Sequence, residues 1–419
     1  MSRHGFFTVW FLGFLGLGCL GTALGCTADD TASPSTDEGP LPGVGRVRVT
    51  VDGGMNPDDD PGSREWLASD IEVTAADGTV HLGRAGIHVR GNSSSQFEKK
   101  SYALETWSSS DEDEDVALLG LPAEEDWVLQ GPFSDKTLIR NHLTYTLSRD
   151  IGRYAARTRF VELELNGEYR GAYVLMEKIK RGPDRVDLPD GAALMRRDWV
   201  EGGEGFIETA QCGDVVEVKW PDSPDGILPR LDAVERALLA GDTSQVDLAS
   251  FVDHMLIAEL GRNVDAYVLS TWITLSKDDR LGMGPVWDYN GALGNADYFR
   301  AWEPEGWHYD NPEFPADNPN GFCWYDALLD DPAFIALRAE RWRIHRAGAL
   351  SDAAINDRIT EAVSTVRPAV DANFERWPVL GEYVWPNDGG AEDRTSHEEE
   401  VAYLRDWLQQ RTAWMDAQL

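Results

Sequence analysis

Strand-like patterns fill the first half of the chain, and helical patterns fill most of the second half. Short runs in which apolar and polar residues alternate recur throughout the first half, and this period of two is typical of antiparallel sheets. The clearest example is a hairpin over residues 160–177, because Asn166-Gly167 separates two apolar runs and favours a tight turn. The sequence therefore predicts an α+β protein with a strand-rich lobe over residues 46–180 and a mainly helical lobe over residues 181–419.

The same periodicity predicts the individual elements. Strands are predicted at residues 46–51, 70–74, 79–82, 85–90, 101–105 and 127–130. Helices are predicted at residues 136–149, 228–239, 250–260, 324–337, 352–366, 369–377 and 398–419.

The N-terminus has the layout of an export signal. A basic residue precedes an apolar run and then small residues up to Gly25, which predicts a secretory signal peptide over residues 1–25. Residues 26–45 are rich in Ser, Thr, Pro and Asp, and we expect them to form a flexible tether. The pattern around Cys26 is similar to that of bacterial lipoproteins, in which this sulfur is lipidated, although Ala23 stands where Leu is usual. We expect an exported protein that is lipid-anchored to the cell envelope through Cys26, with plain secretion as the alternative.

The composition is strongly acidic, with 73 Asp and Glu against 38 Lys and Arg and a net charge of −35. Such a chain repels nucleic acid, so a nucleic-acid-binding role is excluded, and cationic partners are favoured. If Cys26 is lipidated, Cys212 and Cys323 are the cysteines that remain in the exported chain. An oxidising compartment would allow them to form a disulfide, but the sequence does not decide between a disulfide and two free thiols.

Two other stretches allow more than one interpretation. The loop over residues 52–62 offers Asp58, Asp59 and Asp60 to a calcium ion, but it lacks the spacing of a calcium-binding loop, so a solvated loop is favoured. Residues 298–322 are rich in aromatic side chains. They could face a substrate, form a carbohydrate platform or cap the core, and the cap is favoured.

Most of the candidate chemistry falls in residues 259–295. A helix is predicted to carry Asn263 and Asp265, an apolar run predicts a strand at residues 268–275, and a second strand is predicted to end at residues 287–290. This arrangement places Asp265 and Asp288 at the ends of neighbouring elements. An Asp beside an Asn, followed after a hairpin by another Asp, suits Mg²⁺ on a nucleotide polyphosphate, with one carboxylate left to accept a hydroxyl proton.

Two segments of the first half could contact a nucleotide. A small-residue loop follows Arg90, and its backbone N–H groups could approach a phosphate that a Lys of the Lys99-Lys100 pair also reaches, although such loops often only join strands. The second strand of the predicted hairpin ends at residues 176–178, where backbone groups could bind an adenine ring. The alternative is that Glu177 and Lys178 are a plain ion pair at the end of the strand. The candidate contacts are Arg90, Asn92, Ser93, Lys100, Met176, Glu177 and Lys178.

Five blocks of the sequence occur in the order found in one family. They are RGNSSSQFEKKSY, DKTLIRNHL, NGEYRGAYVLMEKIKRGPDRVDL, RNVDAY and GMGPVWDYNGALGN. With these blocks the chain resembles the CotH family of atypical kinases, named for a spore-coat protein, from about residue 46 to residue 419. The resemblance implies an atypical protein-kinase-like bilobal fold that uses ATP and Mg²⁺ or Mn²⁺ to phosphorylate Ser or Thr of an exported or surface protein.

The resemblance also implies roles for individual residues. Asp288 would bind the metal, and Asp265 would be a base or a second metal ligand with Asn263 beside it. Lys100 would contact phosphates, and residues 176–178 would form the hinge between the lobes. From the acidic composition we expect the protein substrate to be basic or neutral.

One departure from the family pattern affects the expected activity. The family usually reads Trp-Asp-Phe-Asp where this chain has Asn290 in place of the second acid. An amide still offers an oxygen to the metal but no charge, so Mg²⁺ affinity could fall. The alternative is therefore a catalytically impaired lipoprotein that holds a nucleotide, a glycan or a protein partner. Transfer of a nucleotidyl group instead of phosphate also stays open.

Overall fold

The computed structural model describes residues 43–199, 205–313 and 323–419. The predicted signal peptide, Cys26 and residues 26–42 of the predicted tether lie outside these ranges, as do residues 314–322 of the aromatic stretch. No helix among the described residues is both long enough and apolar enough to cross a bilayer.

Seven strands of the first half close into a barrel in the order β1-β2-β3-β4-β5-β7-β6. They are β1 (Gly45–Val51), β2 (Leu67–Thr74), β3 (Val80–Arg90), β4 (Ser101–Trp107), β5 (Asp126–Gln130), β6 (Thr158–Leu165) and β7 (Glu168–Glu177). Neighbouring strands are antiparallel, except that β1 pairs with β6 in parallel and so closes the barrel. The predicted hairpin at Asn166-Gly167 is confirmed, and both turn residues have positive φ. The two strands predicted at residues 79–82 and 85–90 form the single strand β3.

Five strands form a second sheet in the order β12-β11-β8-β10-β9. They are β8 (Ala193–Arg197), β9 (Phe206–Glu208), β10 (Val215–Trp220), β11 (Thr271–Leu275) and β12 (Leu281–Met283). The prediction that the last strand runs to residues 287–290 is wrong. Its ladder ends at Met283 because Pro285 has no N–H to donate.

Seven α-helices accompany the two sheets in the described residues. They are α1 (Arg140–Asp150), α2 (Ile227–Leu239), α3 (Leu248–Gly261), α4 (Cys323–Leu329), α5 (Pro332–Arg346), α6 (Asp352–Arg376) and α7 (His397–Gln418). The α+β class is thus confirmed. Helix α1 starts later than predicted because Leu138 has a φ of 65° and the Asp135 carboxylate accepts hydrogen bonds from the Thr137 and Arg140 N–H groups.

Two helix boundaries differ from the prediction at prolines. The single helix predicted at residues 324–337 is two helices, because Asp331 caps a new helix that starts at Pro332. The two helices predicted at residues 352–366 and 369–377 are one helix that continues through Pro368. Proline removes one helical hydrogen bond, but α6 is buried on both sides of it and packs against β7 and α1.

The barrel wall and the helices share one hydrophobic core. Buried Lys99 reinforces this contact, since its Nζ donates to the Ala172 carbonyl at 2.6 Å and to Asn373 Oδ1 on α6 at 2.7 Å. Burial lowers the pKa of Lys99 well below its usual value. Asp58 of the acid-rich loop bonds Tyr102 Oη and Arg170, so it is engaged in protein contacts.

Cys212 and Cys323 form a disulfide. It joins the turn between β9 and β10 to the first residue of α4. Glu235 connects the same two segments, because its carboxylate accepts hydrogen bonds from the Cys212 N–H at 3.1 Å and from Trp324 Nε1 at 2.7 Å.

Candidate active site

Asp265 lies in a turn that follows α3, and not on the helix as predicted. The helix ends at Gly261 because Arg262 adopts the left-handed conformation, with a φ of 44°. The Arg262 guanidinium donates to the Glu303 carbonyl at 2.7 Å. This contact holds the turn that presents Asn263 and Asp265.

Asp288 lies in an irregular segment with a φ of 63°. Its N–H donates to Tyr145 Oη at 3.0 Å, and the next N–H, of Tyr289, donates to Asn141 Oδ1 at 2.6 Å. Asn263 connects the two acid segments, because its Nδ2 donates to the Asp288 carbonyl at 3.3 Å and its Oδ1 accepts from the Asp265 N–H at 3.2 Å. Asn263 is therefore placed to position both acids.

The charge of Asp288 acts on the pKa of Asp265. Burial is the main cause that raises the pKa of Asp265 to about 7, and the negative charges of Asp288 and Asp198 raise it further. Burial also raises the pKa of Asp288, an effect that Arg90 opposes and Asp198 strengthens. Ionising both acids without a counter-charge is thus unfavourable, and a bound cation would reverse that cost.

Neither carboxylate receives a hydrogen bond or an ion pair from any residue within the described ranges. The fully buried carboxylates of Asp214, Asp253 and Glu259, by comparison, are each paired with an arginine. Asp265 and Asp288 are half-buried, so water or a cation can reach them, and a carboxylate that is taken out of water is normally paired or bound to a metal ion. The Asp265 and Asp288 pair therefore fits a divalent cation.

Arg90 is a positively charged residue whose pKa responds to Asp288, and its side chain has no hydrogen-bond acceptor among the described residues. It ends β3, and its guanidinium lies over the Trp287 ring with 5.7 Å between the guanidinium carbon and the ring centre. Burial lowers its pKa while the Asp288 charge raises it. In the part of the chain that the structure describes, this guanidinium makes no hydrogen bond or ion pair. Five N–H donors beside an acid pair fit a phosphate group.

The loop after Arg90 makes a short turn, with Asn92 and Ser93 exposed at its start. Lys100 folds back onto this loop, because its Nζ donates to the Ser95 carbonyl at 2.8 Å. The roles of Asn92, Ser93 and Lys100 in binding phosphate stay predictions.

The strand β7 ends at Glu177, so residues 176–178 lie at the end of this barrel strand, as predicted. The Glu177 carboxylate is fully buried and accepts hydrogen bonds from Arg157 and Arg185, while Lys178 pairs with Asp126 at 2.7 Å. Both side chains thus form ion pairs, but with other residues and not with each other as the alternative interpretation had it. Contact between this segment and an adenine ring, including Met176, stays a prediction.

Three residues near the acid pair were not identified from the sequence. Asp198 follows β8 and pairs with Arg196 at 3.2 Å; Tyr145 comes from α1; and Tyr298 has its pKa raised by burial and by the charges of Asp265 and Asp288. Asp198 and Tyr145 are distant in sequence from Asp288 and belong to no local motif, whereas Tyr298 begins the aromatic stretch for which a cap over the core was favoured. Only the folded chain brings them together.

The aromatic stretch after residue 297 has two parts. Trp307 packs against Trp414 of α7 with ring centres 4.7 Å apart, as expected for a cap over the core. Tyr298 instead lies beside the acids and is parallel to the half-exposed Trp385, whose ring also lies near Phe97 of the loop after Arg90. Through Trp385, Tyr298 is thus connected to the loop after Arg90.

A second acidic group, Asp115, Glu124 and Glu125, has the spacing of metal ligands. The ammonium of Lys180 already lies among these side chains, with Nζ 2.8 Å from Glu124 and 2.6 Å from Glu125. Lys180 therefore already supplies the positive charge that a metal ion would bring to these three acids. This group is not the candidate site.

Comparison with known proteins gives one family. No curated protein matches the chain. A family model described as CotH kinase protein matches residues 87–415, which include Arg90, Asp265 and Asp288. This family is one of kinase-like enzymes, whose chemistry in general uses a nucleotide and a divalent metal. Because the match covers most of the chain, the protein belongs to the CotH kinase family.

Proposed function

We propose that this protein transfers the γ-phosphoryl group of ATP to a Ser or Thr of an exported or surface protein, using Mg²⁺ or Mn²⁺. The observation that carries the proposal is the set of three charged groups, Arg90, Asp265 and Asp288, whose side chains make no hydrogen bond or ion pair with the described residues. Two adjacent anions and one cation are complementary to a divalent ion on a polyphosphate. A bilobal kinase-like arrangement, with the lobes meeting near residue 180, is part of this proposal.

The proposed mechanism assigns one task to each of these residues. When bound, the divalent ion supplies positive charge to the phosphate oxygens. Asp288 would hold that ion, and Arg90 would donate to a phosphate oxygen through its guanidinium N–H groups. Asp265 would accept the proton of the acceptor hydroxyl, whose oxygen bonds to the γ-phosphorus while the bond from that phosphorus to ADP breaks. Asn263 keeps the two acid segments in register.

Arg90→Gln is expected to raise the KM for ATP by about tenfold or more, because a charge-assisted contact to phosphate is lost. The measurement is transfer of label from γ-labelled ATP to a Ser- and Lys-rich acceptor protein with Mg²⁺ or Mn²⁺. Arg84→Gln is the matched control. Arg84 lies on the same strand but pairs with Asp52 and Asp70, so its loss should leave the KM unchanged.

Absence of label transfer by the parent protein under all these conditions would contradict the kinase proposal.

The second candidate function is a catalytically impaired protein that holds a nucleotide, and Asn290 favours it. The Asn290 side chain makes no hydrogen bond within the described residues and adds no charge to the site. ATP-dependent thermal stabilisation without label transfer would support this second function.

We also propose that the protein is exported and lipid-anchored through Cys26. The sequence pattern around Cys26 supports the anchor, and the Cys212–Cys323 disulfide supports an oxidising compartment. The expected result is that protein isolated from its host carries acyl chains by mass spectrometry and that Cys26→Ser lacks them. An acyl-free parent protein would leave plain secretion as the explanation.

A further inference from the structure

Helix α1 holds the backbone that presents Asp288. Asn141 and Tyr145 lie one helical turn apart on α1, so their side chains share one face of the helix. Asn141 Oδ1 and Tyr145 Oη accept the N–H groups of two consecutive residues, Tyr289 and Asp288. Two successive peptide groups are therefore fixed by one rigid element.

This support matters because Asp288 has an unusual backbone conformation. Its φ of 63° lies in the left-handed region, which a residue other than glycine adopts only when its surroundings maintain it. The hydrogen bond to Tyr145 fixes the peptide that precedes the Asp288 side chain, and the bond to Asn141 fixes the peptide that follows it. The direction in which the Asp288 side chain leaves the backbone is thereby set.

The Tyr145 ring makes a second contact that concerns Arg90. It stacks on the Trp287 ring with centres 5.8 Å apart and an angle of 15° between the planes. The guanidinium of Arg90 also lies over the Trp287 ring. Tyr145 thus supports Asp288 through its hydroxyl, and it supports Arg90 through the stacking of its ring on Trp287.

Helix α1 is itself anchored away from the site. Asp150 at its end forms two hydrogen bonds of 2.8 Å with Arg358 of α6, and His142 bonds Thr158 of β6 at 2.6 Å. These contacts connect α1 to both the barrel and the helices. The position of Asp288 therefore depends on a helix that is fixed independently of any ligand.

We propose that Tyr145, together with Asn141, is a positioning residue that holds the Asp288 carboxylate in its cation-binding orientation opposite Arg90. The proposal rests on the proposed function, because it assigns Asp288 to the divalent ion. Groups that orient metal ligands without touching the metal typically change metal affinity by about 10- to 100-fold when they are removed.

The test compares two substitutions of Tyr145 in the purified protein. Tyr145→Phe keeps the stacked ring but removes the hydroxyl acceptor, so Mn²⁺ binding, measured by electron paramagnetic resonance of free Mn²⁺, should weaken by about tenfold. The KM for ATP should change by less than about twofold, since the support of Arg90 is retained. Tyr145→Leu removes both contacts and should raise the KM as well.

Amide hydrogen exchange gives an independent readout. The Asp288 N–H should exchange faster in Tyr145→Phe, because it loses its acceptor, and the Tyr289 N–H should exchange faster in Asn141→Leu. Tyr102→Phe is the control: it removes a buried hydroxyl that bonds Asp58 in the barrel, and should leave Mn²⁺ affinity and Asp288 exchange unchanged.

Parent-like Mn²⁺ affinity in folded Tyr145→Phe would overturn the inference, and so would unchanged exchange at Asp288. If the parent protein binds neither Mn²⁺ nor ATP, the proposed function is wrong. The inference that Tyr145 positions Asp288 for cation binding is then wrong as well. If the parent binds both and Tyr145→Phe matches it, the inference alone fails.

Discussion

Asp288→Asn should reduce phosphoryl transfer to the acceptor protein by about 10³-fold or more. The substitution keeps the size of the side chain and removes the charge that would hold the divalent ion beside the phosphates. Loss of about 4 kcal/mol of transition-state stabilisation corresponds to that factor, and it is typical of a preorganised electrostatic contact. Asparagine tolerates the left-handed conformation as well as aspartate does, so the variant should fold. The measurement is the initial rate of label transfer at saturating ATP and metal.

Asp278→Asn provides the matched control for this result. Asp278 lies exposed in the turn between β11 and β12, and its loss removes the same charge from the same half of the chain. The double variant Asp265→Asn with Asp288→Asn should be about as slow as the slower single variant, because the two acids act as a unit in one transfer step. A parent-like rate for Asp288→Asn would contradict the assignment of the metal site.

Local sequence signals predicted most of the individual elements. The Asn166-Gly167 turn was predicted because both turn residues favour positive φ, and the alternating runs on either side became β6 and β7. Errors occurred where a local rule was overridden by packing. Pro368 marks a helix end by local rules, yet α6 continues because its buried face packs on the barrel and α1.

Closure of the barrel could not be predicted in the same way. Its last step pairs β1 with β6 in parallel, and these strands lie more than one hundred residues apart in the sequence. The second sheet likewise inserts β8 between β11 and β10. Such pairings depend on long-range burial and not on any period in the sequence.

The candidate site shows the same division between local and long-range information. Asp265 and Asp288 were predicted as a pair from the pattern of residues 259–295, and Arg90 was predicted from the small-residue loop that follows it. Their lack of protein partners could only be seen in the structure, because it depends on every side chain that surrounds them. Tyr145 was not identified from the sequence, because nothing in its pattern distinguishes it from an ordinary residue on the face of a helix. Its role depends on a hydrogen bond to Asp288, from the other half of the chain.

The Cys212–Cys323 disulfide is the other feature for which we expect a large effect. The two cysteines are 111 positions apart, and the loop that the bond closes contains Asp265 and Asp288. By restricting the unfolded chain, a bond that closes a loop of this length contributes about 2–5 kcal/mol to the free energy of unfolding. That is a large share of the about 5–15 kcal/mol that stabilises a typical folded protein.

Cys212→Ser with Cys323→Ser should therefore lower the free energy of unfolding by about 2–5 kcal/mol in urea titrations. The variant should still fold, because Glu235 continues to connect the same turn to Trp324 through hydrogen bonds. Dithiothreitol is the control: it should lower the stability of the parent to that of the variant and leave the variant unchanged. An equal urea midpoint for the variant and the oxidised parent would show that the disulfide does not stabilise this fold, and that Glu235 and the surrounding core are sufficient to hold the turn against α4.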